Sequence, residues 1–148
     1  MPLQLEIVTP EARIFPGRDA DGKLASGAVD SVLLPGMEGE MGVLPQHAPL
    51  VSTLKPGELH YTVGGKTYEL AIGEGLVEVT QTHVRVLTDV ALGADSIDEK
   101  AVEDALARAQ KSLEDMKGDH GSEEYASVLA SIQKASAQLH LKRRRRTI

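Results

Sequence analysis

The hydrophobic period of this chain changes once, near residue 90, and that change confines the fold to a β-rich body followed by helices. From Leu3 to about Thr88, apolar and polar residues alternate in short runs cut by glycine and proline turns. In LQLEIV, residues 3–8, Leu3, Leu5 and Ile7 alternate with polar neighbours, and successive strand side chains point to opposite faces, so one face is apolar. AVDSVLL, residues 28–34, reads as a more continuous apolar strand. ELHYTVGGKTYELAI, residues 58–72, reads as a hairpin, because Gly64 and Gly65 supply the positive φ of a tight two-residue turn. LVEVTQTHVRVL, residues 76–87, is another, with Val77 and Val79 on one arm and Val84 and Val86 on the other. Strands this short, recurring about every ten residues, predict an antiparallel sandwich or flattened barrel.

Beyond residue 95 the period lengthens to three and four. Ser96 followed by Glu99 forms an S-x-x-E capping box, which predicts a helix opening at Ile97. Val102, Leu106, Ala109, Leu113 and Met116 then form one apolar stripe. Gly118 ends the helix and GDHG, residues 118–121, makes the turn. Ser122 caps a second helix, with Glu123 and Glu124 in the first turn where the helix dipole favours them. Its stripe runs through Tyr125, Val128, Leu129, Ile132, Ala135 and Leu139, and cations close it. The domain reading is therefore a sandwich over residues 1–88 and an antiparallel two-helix hairpin over 89–148, with ALGADS, residues 91–96, as linker. Ala101, Ala105, Ala109, Ala126, Ala130 and Ala135 let the helices approach closely but bury little area. The hairpin reads as an appendage that docks reversibly.

One segment obeys neither period. PGMEGEMGVLPQHAPL, residues 35–50, carries Gly36, Gly39 and Gly42, which oppose a helix, and Pro45 and Pro49, which oppose a central strand. It reads as an irregular surface segment with Met37, Met41, Val43 and Leu44 scattered through it.

Composition narrows the function classes. The chain has no cysteine, which excludes a disulfide framework, a thiolate nucleophile and any Cys-ligated metal. No apolar run approaches the roughly 20 residues that span a bilayer, and MPLQLEIVTPEARIF lacks the basic start and apolar core of a signal peptide. The expectation is a soluble, cytoplasmic chain. Net charge is −6, yet Lys142, Arg143, Arg144, Arg145 and Arg146 hold five of the sixteen basic residues. The rest sets eleven basic residues against 22 acidic ones, a net of −11. Such a body is a poor nucleic-acid binder, and a localized acidic surface is the natural partner for the tail.

Tests for chemistry find little. The five histidines, His47, His60, His83, His120 and His140, show no metal-ligand spacing. GGKT, residues 64–67, imitates the end of a phosphate loop, but His60 stands where its first glycine belongs and the segment joins two strands. Glu38, Glu40 and His47 offer an acid, a base and an orienting group with no serine or cysteine nucleophile in the segment. The residues alone favour an interaction subunit, with a free-standing β-sandwich binding module as the competing reading and an enzyme third.

At this point EGEMGVLPQHAPLVSTLKPGEL, residues 38–59, closely resembles the signature region of the epsilon subunits of rotary ATP synthases. The likeness continues through GEGLVEV, VRVLTDVA, His120–Gly121 and Tyr125–Ala126, and so covers nearly the whole chain. It implies a flattened barrel of about ten strands followed by the helical hairpin. It also implies a non-catalytic rotor subunit that binds gamma, sits on the c-ring, and reaches the alpha and beta subunits of the catalytic head through its C-terminal helices. Such a subunit is peripheral, at the cytoplasmic face of the bacterial inner membrane, and meets the membrane only indirectly. Glu40, flanked by Gly39 and Met41, carries over as the docking position against the c-ring loops, and His47 as an interface or loop-organizing residue. RDADGKLASG, residues 18–27, looks like an insertion forming a surface hairpin.

The ATP-binding motif of some bacterial members, I/L-D-x-x-R-A, is half present. Ile97 and Asp98 fit and Arg108 matches a further basic position, but Ala101 replaces the motif arginine. A phosphate there loses a charge-assisted contact, so the expectation is no cofactor and weak or absent ATP binding. The resemblance further makes the hairpin a brake on ATP hydrolysis, with residues 142–146 as its contact end against an acidic loop of the beta subunits. A second helix from Ser122 to about Lys142 spans roughly 30 Å, enough to carry that end towards the head.

Overall fold

The computed structural model describes residues 2–116 and 121–146, without the Arg146 side chain. The turn read over residues 118–121, with Gly118 and His120, thus falls almost wholly outside the described residues. Eleven strands precede the helices: β1 (Leu3–Val8), β2 (Arg13–Phe15), β3 (Ala28–Val29), β4 (Ser31–Gly36), β5 (Gly39–Val43), β6 (Leu50–Leu54), β7 (Gly57–Val63), β8 (Lys66–Ile72), β9 (Gly75–Val79), β10 (His83–Thr88) and β11 (Ala91–Leu92). A 3₁₀ turn, Ala94–Ser96, leads to α1 (Glu99–Asp115) and α2 (Glu123–Arg146). The strands follow one path, β11-β8-β7-β4-β6-β9-β10-β1-β2, with β3 on β1 and β5 on β4. Its two halves meet through a single residue pair, Gly36 opposite Leu54, where the sheet turns over to become a nearly closed sandwich.

Alternation explains the core. Leu3, Leu5 and Ile7 of β1 are buried with Val77 and Val79 of β9 and Val84 and Val86 of β10, each at most 1% exposed. Their neighbours in sequence face solvent, as a period of two requires. Among the described residues no helical residue belongs to this cluster, so the sandwich has a core of its own.

The Gly64–Gly65 hairpin forms as read, with φ of 57° and 81° and a register running from Val63–Lys66 back to Gly57–Ile72. Elsewhere the structure departs from the sequence reading for identifiable reasons. The run 28–34 is two strands, because Asp30 switches partners between β1 and β7: its amide bonds the Thr62 carbonyl (2.7 Å) and its carboxylate accepts from the Gly64 amide (2.8 Å). The sandwich is not wholly antiparallel, since β1 and β10 pair in parallel. The segment 35–50 is not irregular throughout either. Its first part is a hairpin, Leu34 opposite Met41 and Pro35 opposite Glu40, tolerated because β5 pairs with β4 alone and Gly39 takes φ 134°.

The helical boundary also moves. Ser96 lies in the 3₁₀ turn, Ile97 is extended, and Asp98 caps α1 by accepting from the Ala101 amide (3.2 Å). Burial of Ile97, 4% exposed, against the sheet holds it out of the helix. Stretch 91–96 is itself folded, since β11 pairs with β8 (Ala91 opposite Ile72) before the turn begins. Ser122 caps α2 as expected, accepting from the Tyr125 amide (3.0 Å). Leu129 of its predicted stripe is exposed, whereas Leu141, outside the stripe, is completely buried.

Candidate functional site

Two regions carry the predicted site residues. The first is the β4–β5 hairpin. A two-residue turn, Met37–Glu38, joins the strands, and the Met37 amide donates to the Thr53 carbonyl (3.4 Å). Gly39 and Glu40 are exposed, Met41 is half-buried against the core, and Met37 projects, 59% exposed. Together with Ser52 and Thr53 these residues line an open depression of about 480 Å³. His47 sits in the following loop, its Nδ1 2.7 Å from the Ala48 carbonyl and its amide bonded to the Leu44 carbonyl (3.2 Å). Gln46 beside it adopts φ 66° and bonds Gln81 (2.8 Å). Among the described residues no hydrogen bond or ion pair joins His47 to Glu38 or Glu40, and no group of three His, Asp or Glu is placed to hold a metal.

The second region is the end of α2, which meets the linker, α1 and the sheet together. The Lys142 ammonium donates to the Ala94 carbonyl (3.0 Å). Arg143 reaches Glu99 (3.0 Å) and Glu103 (2.6 Å) on α1. Arg144 grips both oxygens of Glu58 on β7, one of them at 3.1 Å, and also Glu69 on β8 (2.6 Å). Arg145 is exposed, and the Arg146 side chain lies outside the described part. Next to them Leu141 packs with Ala71 and Ile97, flanked by Leu92, Ala94 and Val102. Lys134, two turns earlier, pairs with Asp89 (3.3 Å).

Two of the three residues matching the ATP motif do structural work here. Ile97 fills the apolar cluster, Asp98 caps α1 and Arg108 is exposed.

Glu58, Glu69, Glu99 and Glu103 were not singled out by the sequence reading. A signal existed: counting outward from the glycine turn sets His60 opposite Glu69, and Glu58 lies two residues from His60 on the same face. Glu99 and Glu103 stand one helical turn apart.

Electrostatics at Glu58 predicts a pH dependence. Burial by itself raises its carboxyl, but the Arg144 guanidinium and then His60 (3.4 Å) overcome that and hold it below its ordinary value of 4.5. His140 (3.7 Å) and Glu69 complete the charged groups around it. A carboxyl lowered by docking stabilises the docked helix above its undocked value, and that stabilisation is lost as pH falls through the docked one. Acidification from pH 6 to 3.5 should therefore loosen α2, and this group should add no pH dependence between 6 and 8. Hydrogen exchange of α2 amides, corrected for intrinsic rates, checks both limits. Protection that is flat down to pH 3.5 would contradict the assignment.

The architecture is thus a β-sandwich with an exposed glycine-rich hairpin at one edge and a clasped two-helix arm on another. Residues 2–94 match the beta-sandwich domain of the ATP synthase delta/epsilon chain and residues 95–142 its long alpha-helix domain; the chain belongs to the ATP synthase delta/epsilon family, among the F-type epsilon subunits. It is 37% identical over 146 residues to the ATP synthase epsilon chain of Herpetosiphon aurantiacus, covering 99% of this chain and 98% of that one. To the epsilon chain of Desulforamulus reducens it is 41% identical over 110 residues, 74% and 76% of the two chains. The fold is shared with a chain in the cryo-EM structure of the Euglena gracilis mitochondrial ATP synthase OSCP/F1/c-ring assembly. That match has a TM-score of 0.71 at 23% identity, over 94% of this chain and 79% of the other.

Proposed function

We propose that this chain is a non-catalytic rotor subunit of the central stalk, with the sandwich seated on gamma and the c-ring and the helical arm acting as a brake on ATP hydrolysis by the alpha and beta subunits. The observation carrying this reading is the pair of exposed surfaces on the sandwich. The hairpin presents Met37 and Glu40 to solvent. The outward face of β6, β9 and β10 presents Val51 (65% exposed) and the cross-strand pair Leu76 (39%) and Leu87 (44%). These exposed apolar side chains share one face with Thr53, Glu78 and Arg85, a mixed surface suited to a protein contact, and gamma is its proposed occupant. Glu40 is the proposed contact to the polar loops of the c-ring, with Gly39 giving close approach and His47 shaping the loop.

On this reading the chain is peripheral, at the cytoplasmic face of the inner membrane, and held there through its partners. No helix among the described residues is long and apolar enough to cross a membrane. ATP is proposed to bind weakly or not at all, because Ala101 offers no cation to a phosphate and Asp98 is committed to its cap.

Affinity capture of the tagged full chain from cells tests the reading. The expected result is recovery of gamma, the head and the c-ring. The Glu40→Lys variant should keep the circular dichroism of the parent, since the side chain is exposed, and keep gamma while losing coupling to the c-ring. Recovery without gamma or any head subunit contradicts the assignment, and unfolding of the variant contradicts the role given to Glu40.

A further inference from the structure

Residues 18–27, read from the sequence as an insertion, form a hairpin held by its own backbone and side chains. Arg18 bridges Leu24 across it, the Asp19 amide donates to the Lys23 carbonyl (2.8 Å), and Gly22 turns the chain with φ 78°. The Asp19 carboxylate accepts from the amides of Asp21 (3.0 Å) and Lys23 (2.9 Å), and the Arg18 guanidinium donates to the Gly22 carbonyl (2.7 Å). Its foot is fixed on β1, where the Gly27 carbonyl accepts from the Leu5 amide (2.8 Å). A Cβ at Gly27 would stand 2.8 Å from the Leu5 carbonyl oxygen, so glycine permits this close approach. The hairpin thus rises beside the outward face of β1 and β10 and walls one side of an open depression of about 530 Å³. Leu24, 45% exposed and outside the sandwich core, lines that wall.

The floor of the depression is charged in order. Glu78 lies opposite Arg85 and Arg85 opposite Glu6, and the Glu6 carboxylate pairs with both Arg85 (3.5 Å) and Arg13 (3.3 Å). Signs therefore alternate across β9, β10, β1 and β2. Exposed pairs of this kind add little to stability, and their regular order is better suited to choosing and orienting a partner. Two residues along the strands on one side lie Leu76 and Leu87, and on the other side His83, with Leu24 beyond it. From Leu87 to His83 is about 13 Å at roughly 3.3 Å per residue, close to the ~10–12 Å width of a helix with its side chains.

We propose that the insertion adds a second wall to the gamma-facing surface, so that one charged helix of gamma lies across the strands between Leu24 and the Leu76–Leu87 pair. Its side chains answer the Glu78–Arg85–Glu6–Arg13 row. The identity of this partner rests on the gamma reading above, while the walled trough rests on the contacts alone. Continuity supports the occupant, since Val51 lies opposite Glu78 and the charged row begins within the face assigned to gamma. A wall already held in one shape also spares the ordering cost that a loose loop imposes on binding.

Titration of the full chain against a head that carries gamma but no epsilon subunit tests this. Leu24→Glu should lower the affinity at least tenfold and Leu24→Ala at least threefold, with the circular dichroism and melting temperature of the parent. Arg85→Glu, which sets three acids in a row, should lower it at least tenfold. Val51→Glu, on β6 at the far end of the row, tests the gamma reading itself and should weaken binding as well. Weakening by Val51→Glu with parental affinity in Leu24→Glu and Arg85→Glu overturns the trough and keeps gamma on the flat part of the face. Parental affinity in all three removes gamma from this face and overturns both. Sedimentation of the full chain alone should show a monomer. A dimer that Leu24→Glu dissolves would assign the trough to a second copy and overturn the proposal.

Discussion

Leu141→Ala detaches the helical arm and leaves the sandwich folded. Leu141 is fully buried, and its neighbours come from three places: Ala71 on β8, Ala94 and Ile97 in and just after the 3₁₀ turn, and Val102 on α1. Truncating such a leucine costs about 2–5 kcal/mol, the transfer free energy of the lost atoms plus the cavity left behind. A loss of that size is decisive for the arm, because α1 has no buried residue of its own and an Ala-rich helix pair gains little from isolated packing. The sandwich is spared because its core cluster contains no helical residue among the described ones. The expected readout is a fall of at least about thirtyfold in the protection of α2 amides, equivalent to about 2 kcal/mol, with β1, β9 and β10 unchanged. Leu129→Ala, at a position 38% exposed, should leave α2 protection where it was. Equal behaviour of the two variants would contradict this account of docking.

Gly75→Ala has the opposite distribution. Gly75 pairs with Leu54 on one side and Thr88 on the other, so it lies inside the sheet where neither neighbour can move alone. A Cβ there would meet the Leu87 carbonyl oxygen at 2.2 Å and the Thr88 Cα at 3.0 Å. Both are backbone atoms of β10, so relief requires separating β9 from β10. Overpacking of this kind costs about 3 kcal/mol, which for a domain of this size lowers the melting temperature by more than about 10 °C. Thermal unfolding followed in the far ultraviolet checks the value, and an unchanged melting temperature would show that β10 yields more easily than the pairing implies.

The parts of the fold legible in the sequence were those governed by neighbours in the chain. The Gly64–Gly65 turn fixed a complete hairpin register, and the alternation of β1, β9 and β10 identified their buried faces. Strand β5 was hidden because glycine-rich sequence argues against strands in general, and only its edge position makes Gly39 and Gly42 tolerable there. Leu141 was hidden for a different reason. A single apolar stripe assumes one packing partner, whereas the end of α2 faces both α1 and the sheet, so its buried arc extends beyond the stripe. The basic run was legible as a cluster in need of acidic partners, yet those partners lie 40 to 86 residues earlier in the chain. Spacing along a helix cannot register such distant contacts. At the β4–β5 hairpin the sequence motif singled out the residues, and the structure added the exposure of Gly39 and Glu40 and the turn that presents them.

The central claim, that this is a rotor subunit whose arm restrains hydrolysis, is tested most directly by ATP hydrolysis in a reconstituted head with gamma. The full chain is compared with a version ending at Ala94, which retains β11 on β8. Both versions should bind gamma equally, and the shortened one should hydrolyse ATP several-fold faster. Equal rates at equal gamma occupancy would contradict the brake, and failure of both to bind gamma would contradict the rotor assignment itself.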